Sequence, residues 1–171
     1  CEKAWAPCKD YFAVLESKKE ENKDKKLGLL KEAEAFQAGK TEENITVIQI
    51  VMFLKGIHDK WKAFSPVPDK DFADLNNKFK ESRDGVNKLL EKVEIYNRGL
   101  KEELIAEVQG LSKEEIDESV AKIRELQDKW RTLGPAGKKL DPQINEQFEK
   151  ACDEILLIKD KELDESRGIM E

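Results

Sequence analysis

Bulky apolar residues recur along this chain at helical spacing from one end to the other. From about Pro7 to Ala38, the residues Phe12, Leu15, Leu27, Leu30, Ala33 and Phe36 fall mostly three or four positions apart, and Gly39 supplies a stop. Pro7 is expected either to begin this first long helix or to kink it near Trp5. Thr41 is a suitable cap for a second helix reaching about Phe64, with Glu42 and Glu43 in its first turn and a stripe of Val47, Val51, Leu54, Ile57 and Trp61. The run from Ile45 to Leu54 is rich in β-branched residues, but a lone strand would leave its backbone groups unpaired, so a helix is expected there too. After Ser65-Pro66-Val67-Pro68, a third helix should start near residues 69–71 and continue to about Gln109. Its stripe is Phe72, Leu75, Phe79, Val86, Leu90, Val93, Leu100, Leu104 and Val108. At about 1.5 Å per residue such a helix is roughly 60 Å long. Ser112 and Glu115 have the spacing of a capping box before a short fourth helix, with Ile116, Val120, Ile123, Leu126, Trp130 and Leu133 on its apolar face. Gly134 then permits a left-handed cap and Pro135 ends the helix. Asp141-Pro142 opens a fifth, carrying Ile144, Phe148, Ile155 and Leu163.

The stripes repeat as well as recur. Shifting Asp59-Lys60-Trp61-Lys62-Ala63-Phe64-Ser65-Pro66 by 69 positions lays it over Asp128-Lys129-Trp130-Arg131-Thr132-Leu133-Gly134-Pro135. The same shift places Phe79 and Asp84 on Phe148 and Asp153, and Val51, Leu54 and Ile57 on Val120, Ile123 and Leu126. An incomplete third copy opens the chain, where Trp5, Cys8, Asp10 and Phe12 take the places of Phe148, Ala151, Asp153 and Ile155. Alternating long and short helices let each short one pack between halves of the two long ones beside it. The expected fold is therefore all-α: an elongated, spectrin-like array of three-helix bundle repeats built from five helices. Its expected divisions are the tail of a truncated preceding repeat over 1–17 and three-helix units over 18–92 and 93–171. In this reading Trp61, Pro66, Phe79 and Asp84, with Trp130, Gly134, Pro135, Phe148 and Asp153, form a structural motif in which each indole closes a bundle beside a turn. Ser65 in place of the glycine should make the earlier turn differ slightly.

Trp130-Arg131-Thr132-Leu133-Gly134-Pro135 followed by Phe148-Glu149-Lys150-Ala151-Cys152-Asp153 resembles the bacterial tandem helical repeats of domain-of-unknown-function family 349. The middle copy departs from that pattern at Ser65 and at Ser82-Arg83, and the first lacks its tryptophan-containing half. The resemblance implies an intracellular bacterial protein with several copies of the repeat. It brings no activity with it.

Charge and candidate chemistry narrow the picture further. Charged residues make up 40% of the chain and the net charge is -6, with both signs finely interleaved, which argues against a general attraction to nucleic acid. The lysines of the run Lys18, Lys19, Lys23, Lys25 and Lys26 alternate with Glu20, Glu21 and Asp24 and read as a solvated face. Cys1, Cys8 and Cys152 have neither zinc-finger nor disulfide-framework spacing, and a reducing cytosol suits them. Cys1 at the first position also admits a lipid-modified terminus, against which stands the helix-like sequence that follows it directly. No apolar run is long enough to span a membrane.

His58 has no second imidazole to share a metal, and Cys8 and Cys152 occupy small-residue positions, so packing is the expected role of both thiols. Asp10, Asp84 and Asp153 recur on one face and would need partners if partly buried. No phosphate-binding loop, nucleophile elbow or calcium loop is recognisable. Ile45, Ile48 and Met52 form a second apolar stripe without counterpart in the later copy, and either extend the core or offer a docking face. The expectation is a non-catalytic, cytoplasmic scaffold or spacer that binds protein partners and needs no metal or cofactor. An RNA- or ribosome-associated binding protein is the alternative.

Overall fold

A computed structural model describes the backbone of residues 2–170 and the side chains of 9–168. Five helices follow one another: α1 (Glu2–Gln37), α2 (Val47–Ala63), α3 (Asp69–Gln109), α4 (Ile116–Thr132) and α5 (Asp141–Met170). Among the described residues there is no strand, and no helix is long and apolar enough to cross a membrane. The all-helical expectation therefore holds, and the bounds of the third helix agree with its apolar stripe. The side chains of Trp5 and Cys8, expected to belong to a truncated repeat, and Cys1 lie outside the described residues.

The described chain divides into two compact units, with the boundary between Lys92 and Val93. In the first unit, Leu29, Leu30 and Ala33 of α1 share a core with Ile57 and Trp61 of α2, Val67 of the following turn, and Leu75 and Phe79 of α3. The second unit's core takes Leu104, Ile105 and Val108 from α3, Ile116, Ile123 and Leu126 from α4, and Ile144, Phe148, Ala151, Cys152 and Ile155 from α5. Each is a stripe of one helix face buried against two others, as the three- and four-residue spacing demands.

Several boundaries and faces differ from expectation, each for a local reason. Backbone α1 begins at Glu2, so Pro7 lies within it and does not start it. Thr46, and not Thr41, caps α2: its hydroxyl accepts from the Gln49 amide at 3.3 Å while the Thr46 amide donates to the Gln49 Oε1 at 3.0 Å. Ile45 and Ile50 flank this reciprocal pair at the positions of a hydrophobic staple, and both are buried. Thr41 instead donates its amide to Asn44 Oδ1, inside the preceding loop. The buried face of α2 is Val47, Ile50, Ile57 and Trp61, and Val51, expected within the stripe, is exposed.

The Ser112 box is only half formed. Its hydroxyl accepts from the amides of Glu114 and Glu115, the Glu115 side chain makes no capping bond, and α4 begins at Ile116. Phe12, Phe72 and Leu163, expected within apolar stripes, are exposed.

Candidate functional site

The groups that the sequence repeats come together as one cluster in each unit, joined by two residues that the 69-residue shift does not reveal. In the first unit the Trp61 and Phe79 rings stack with centroids 4.1 Å apart and 4° between their planes. The ammonium of Lys26, on α1, lies 4.6 Å from the centroid of the Trp61 ring. One turn before it, Asn22 donates its side-chain amide to the Pro66 carbonyl at 2.8 Å, which fixes the end of the turn after α2. In the second unit Trp130 and Phe148 stack at 4.0 Å and 4°, Lys101 lies 5.2 Å from the Trp130 ring, and Asn97 donates to the Pro135 carbonyl at 2.9 Å. Asn22, Lys26, Asn97 and Lys101 are all buried.

The chemistry explains the choice of residues. Asparagine and lysine four positions apart share one helix face. The first satisfies a carbonyl that the proline turn leaves without a helical donor. The second sets a cation against the electron-rich face of an indole, a favourable placement for a desolvated ammonium. Lys26 was expected on a solvated face and is instead 3% exposed, because it is the lysine of its run that lies against Trp61. Burial pushes its pKa below the ordinary 10.5. Lys23, by contrast, reaches Asp71 at 3.2 Å, and this bond holds its pKa above the ordinary value.

The two clusters differ in two respects. Lys101 pairs with Asp141 at 3.1 Å, and Asp141 also accepts the Ala136 amide at 2.8 Å. The residue of the first unit equivalent to Asp141 is Phe72, and among the described residues no carboxylate pairs with Lys26. The turns differ too: the Ser65–Pro66 peptide is cis, and Gly134 stands where the first unit has Ser65. Gly134 does not adopt the left-handed conformation expected of it. The described glycines with positive φ are Gly39 and Gly137. Gly134 serves close approach, since a Cβ there would lie 2.8 Å from the Asn97 side-chain nitrogen.

Beside the second cluster is an open hollow of about 390 Å³, walled by Trp130, Phe148 and Cys152 and rimmed by Gln127, Glu149 and Asp153. Burial raises the pKa of the Cys152 thiol, the carboxylates of Asp153 and Glu149 add to the shift, and a bond to Gln127 opposes it. The thiol is a packed, protonated side chain, in keeping with its small-residue position. Asp84 and Asp153 are exposed, as is Asp10, so these carboxylates meet solvent and do not need the buried partners considered for them.

His58 is half-buried and borders a separate hollow of about 230 Å³ with Leu54 and Arg83. Among the described residues no group of three histidine, cysteine or acidic side chains is placed to hold a metal. The second apolar stripe divides: Ile45, just before α2, is core, whereas Ile48 and Met52 on the helix are 67% and 69% exposed.

One aromatic and polar cluster built twice from equivalent positions marks a tandem helical-repeat protein. The chain belongs to the family described as Domain of Unknown Function (DUF349), whose model matches residues 1–70 and again 69–139. Neither a curated protein nor a solved structure matches the sequence significantly.

Proposed function

We propose that this chain is a non-catalytic scaffold or spacer, in which three-helix units over 18–92 and 93–171, following the tail of an earlier repeat over 1–17, present helix faces to protein partners. A spectrin-like succession of such units is the arrangement this reading assumes. The observation that carries it is the use made of the buried polar groups. The buried Asn22, Lys26, Asn97 and Lys101, with the partly buried Asp141, hold proline turns and tryptophan rings in place, the work of a framework built to repeat. Ile48 and Met52 supply an apolar pair on the outside of α2 for a partner to cover. The buried free thiol of Cys152 suits a reducing compartment, and we assign the protein to the bacterial cytosol.

The test is affinity capture of the full-length protein from its own cells, with and without nuclease, beside an Ile48→Glu, Met52→Glu double variant. Partners that survive nuclease and are lost with the variant support the scaffold. Loss of every partner on nuclease treatment would replace it with an RNA- or ribosome-associated role.

A further inference from the structure

The two units treat the same position in opposite ways. In the first, Arg83 lies one turn after Phe79 with its guanidinium carbon 5.7 Å from the ring centroid. Arg83 borders two hollows there: the open one of about 230 Å³ has neither Trp61 nor Phe79 in its lining, and the one that reaches Phe79 has no room for a water molecule. In the second unit the residue equivalent to Arg83 is Cys152, whose short side chain reaches no further than the wall, and the hollow opens onto both Trp130 and Phe148.

The charge at the rim changes with it. Lys80 of the first unit becomes Glu149, while Asp84 is kept as Asp153 and Lys62 as Arg131. One unit thus carries its own cation beside the phenylalanine. The other has lost both that cation and the neighbouring lysine, and has gained a carboxylate. Arg131, the remaining positive group at this rim, lies 3.5 Å from Asp128.

We propose that the hollow beside Trp130 and Phe148 is a binding site for an arginine side chain presented by a partner protein. The guanidinium takes, in the second unit, the place that Arg83 fills in the first. A guanidinium suits the site better than an ammonium because it is planar, stacks on aromatic carbon and offers paired donors to carboxylates such as Glu149 and Asp153. A hollow of about 390 Å³ holds the side chain together with its aliphatic stem. The inference rests on the scaffold reading only in taking the arginine from a protein.

The test is a titration of the isotope-labelled chain with N-acetyl-arginine methylamide, following the indole N–H signals of Trp61 and Trp130 by NMR. The Trp130 signal should move saturably in the millimolar range expected of a single exposed side chain, and the Trp61 signal should not. The neutral citrulline analogue should bind at least several-fold more weakly. Cys152→Arg, which installs the first unit's residue, should abolish the response. Should that variant fail to fold, Glu149→Lys at the exposed rim should weaken binding several-fold. A Trp130 signal that stays still, an equal response to citrulline, or a Trp61 signal that moves in parallel would overturn the proposal. N-acetyl-arginine methylamide reports on the hollow alone, so a blank titration leaves the captured partners and the scaffold reading intact. Nuclease-sensitive capture would remove that reading without affecting the titration.

Discussion

Replacing the two buried lysines by methionine should give unequal results, although both sit over a tryptophan in equivalent clusters. Methionine keeps most of the aliphatic stem that packs in the core, so the comparison isolates the ammonium. In Lys101→Met the ammonium lost is bonded to Asp141 at 3.1 Å, with side-chain exposures of 7% and 23%. Removing one member of a largely buried pair leaves the other charge poorly compensated. Asp141 retains the Ala136 amide and some water, so the loss should fall at about 1–3 kcal/mol, below the cost of a fully orphaned charge.

In Lys26→Met no bonded carboxylate is left behind. The contact with Trp61 at 4.6 Å, worth about 0.5–2 kcal/mol, is lost, and the desolvation of a 3% exposed side chain is relieved. These terms offset each other and keep the variant within about 1 kcal/mol of the parent. Urea unfolding followed by circular dichroism and tryptophan fluorescence measures both. With a slope near 2 kcal/mol per molar, a loss of 2 kcal/mol moves the midpoint by about 1 M.

Alkaline pH adds a second signature. The folded pKa of Lys26 lies below 10.5, so the burden of its charge is carried in full below that lowered value and disappears as pH climbs toward 10.5. The parent should therefore gain on Lys26→Met across that window. Equal losses in the two methionine variants, or a larger loss at Lys26, would refute the reasoning.

Three further outcomes follow from the geometry. Thr46→Ala removes the oxygen that accepts the Gln49 amide and should cost about 1 kcal/mol in the same unfolding assay, whereas Thr41→Ala should cost much less. Gly134→Ala places a methyl against the Asn97 amide and should break its bond to Pro135, at about 0.5–1.5 kcal/mol; a high-resolution structure of the variant would show whether Asn97 has moved. Ile50→Ala in the fully buried face of α2 should destabilise by about 2–5 kcal/mol, while Ile48→Ala, two residues away on the exposed face, should stay within about 0.5 kcal/mol in thermal unfolding.

The helices were legible because their apolar faces are long and regular. The bounds of α3 could be read from Leu75 to Val108 with little else. The tryptophan, proline and phenylalanine positions were also legible, because they recur at one fixed distance. The asparagine and lysine pairs were not. Asn22 and Lys26 match Asn97 and Lys101 only at a shift of 75, so an alignment at 69 sets Lys101 against Glu32. A local charge run also disguises Lys26, since sequence does not say which of several neighbouring lysines turns inward.

The start of α2 was misread for a related reason. Thr41 and Thr46 both precede plausible helix, and only the pairing of Thr46 with Gln49 distinguishes them. The role of Gly134 needed coordinates, because a glycine required for the side chain of a distant asparagine looks the same in sequence as one required for backbone conformation.

The mismatch of the two shifts has a practical use. Lys26 and Trp61 stand 35 residues apart, Lys101 and Trp130 only 29, yet each lysine ends over a tryptophan that is stacked on a phenylalanine. Half of the surplus lies in the connection before the short helix, which runs over 38–46 in one copy and 110–115 in the other. Evolution has already tried two lengths there. Loop-closure entropy rises only slowly with added residues, so this is the place to splice in an epitope, a fluorophore or a cleavage sequence while leaving the aromatic stacks undisturbed.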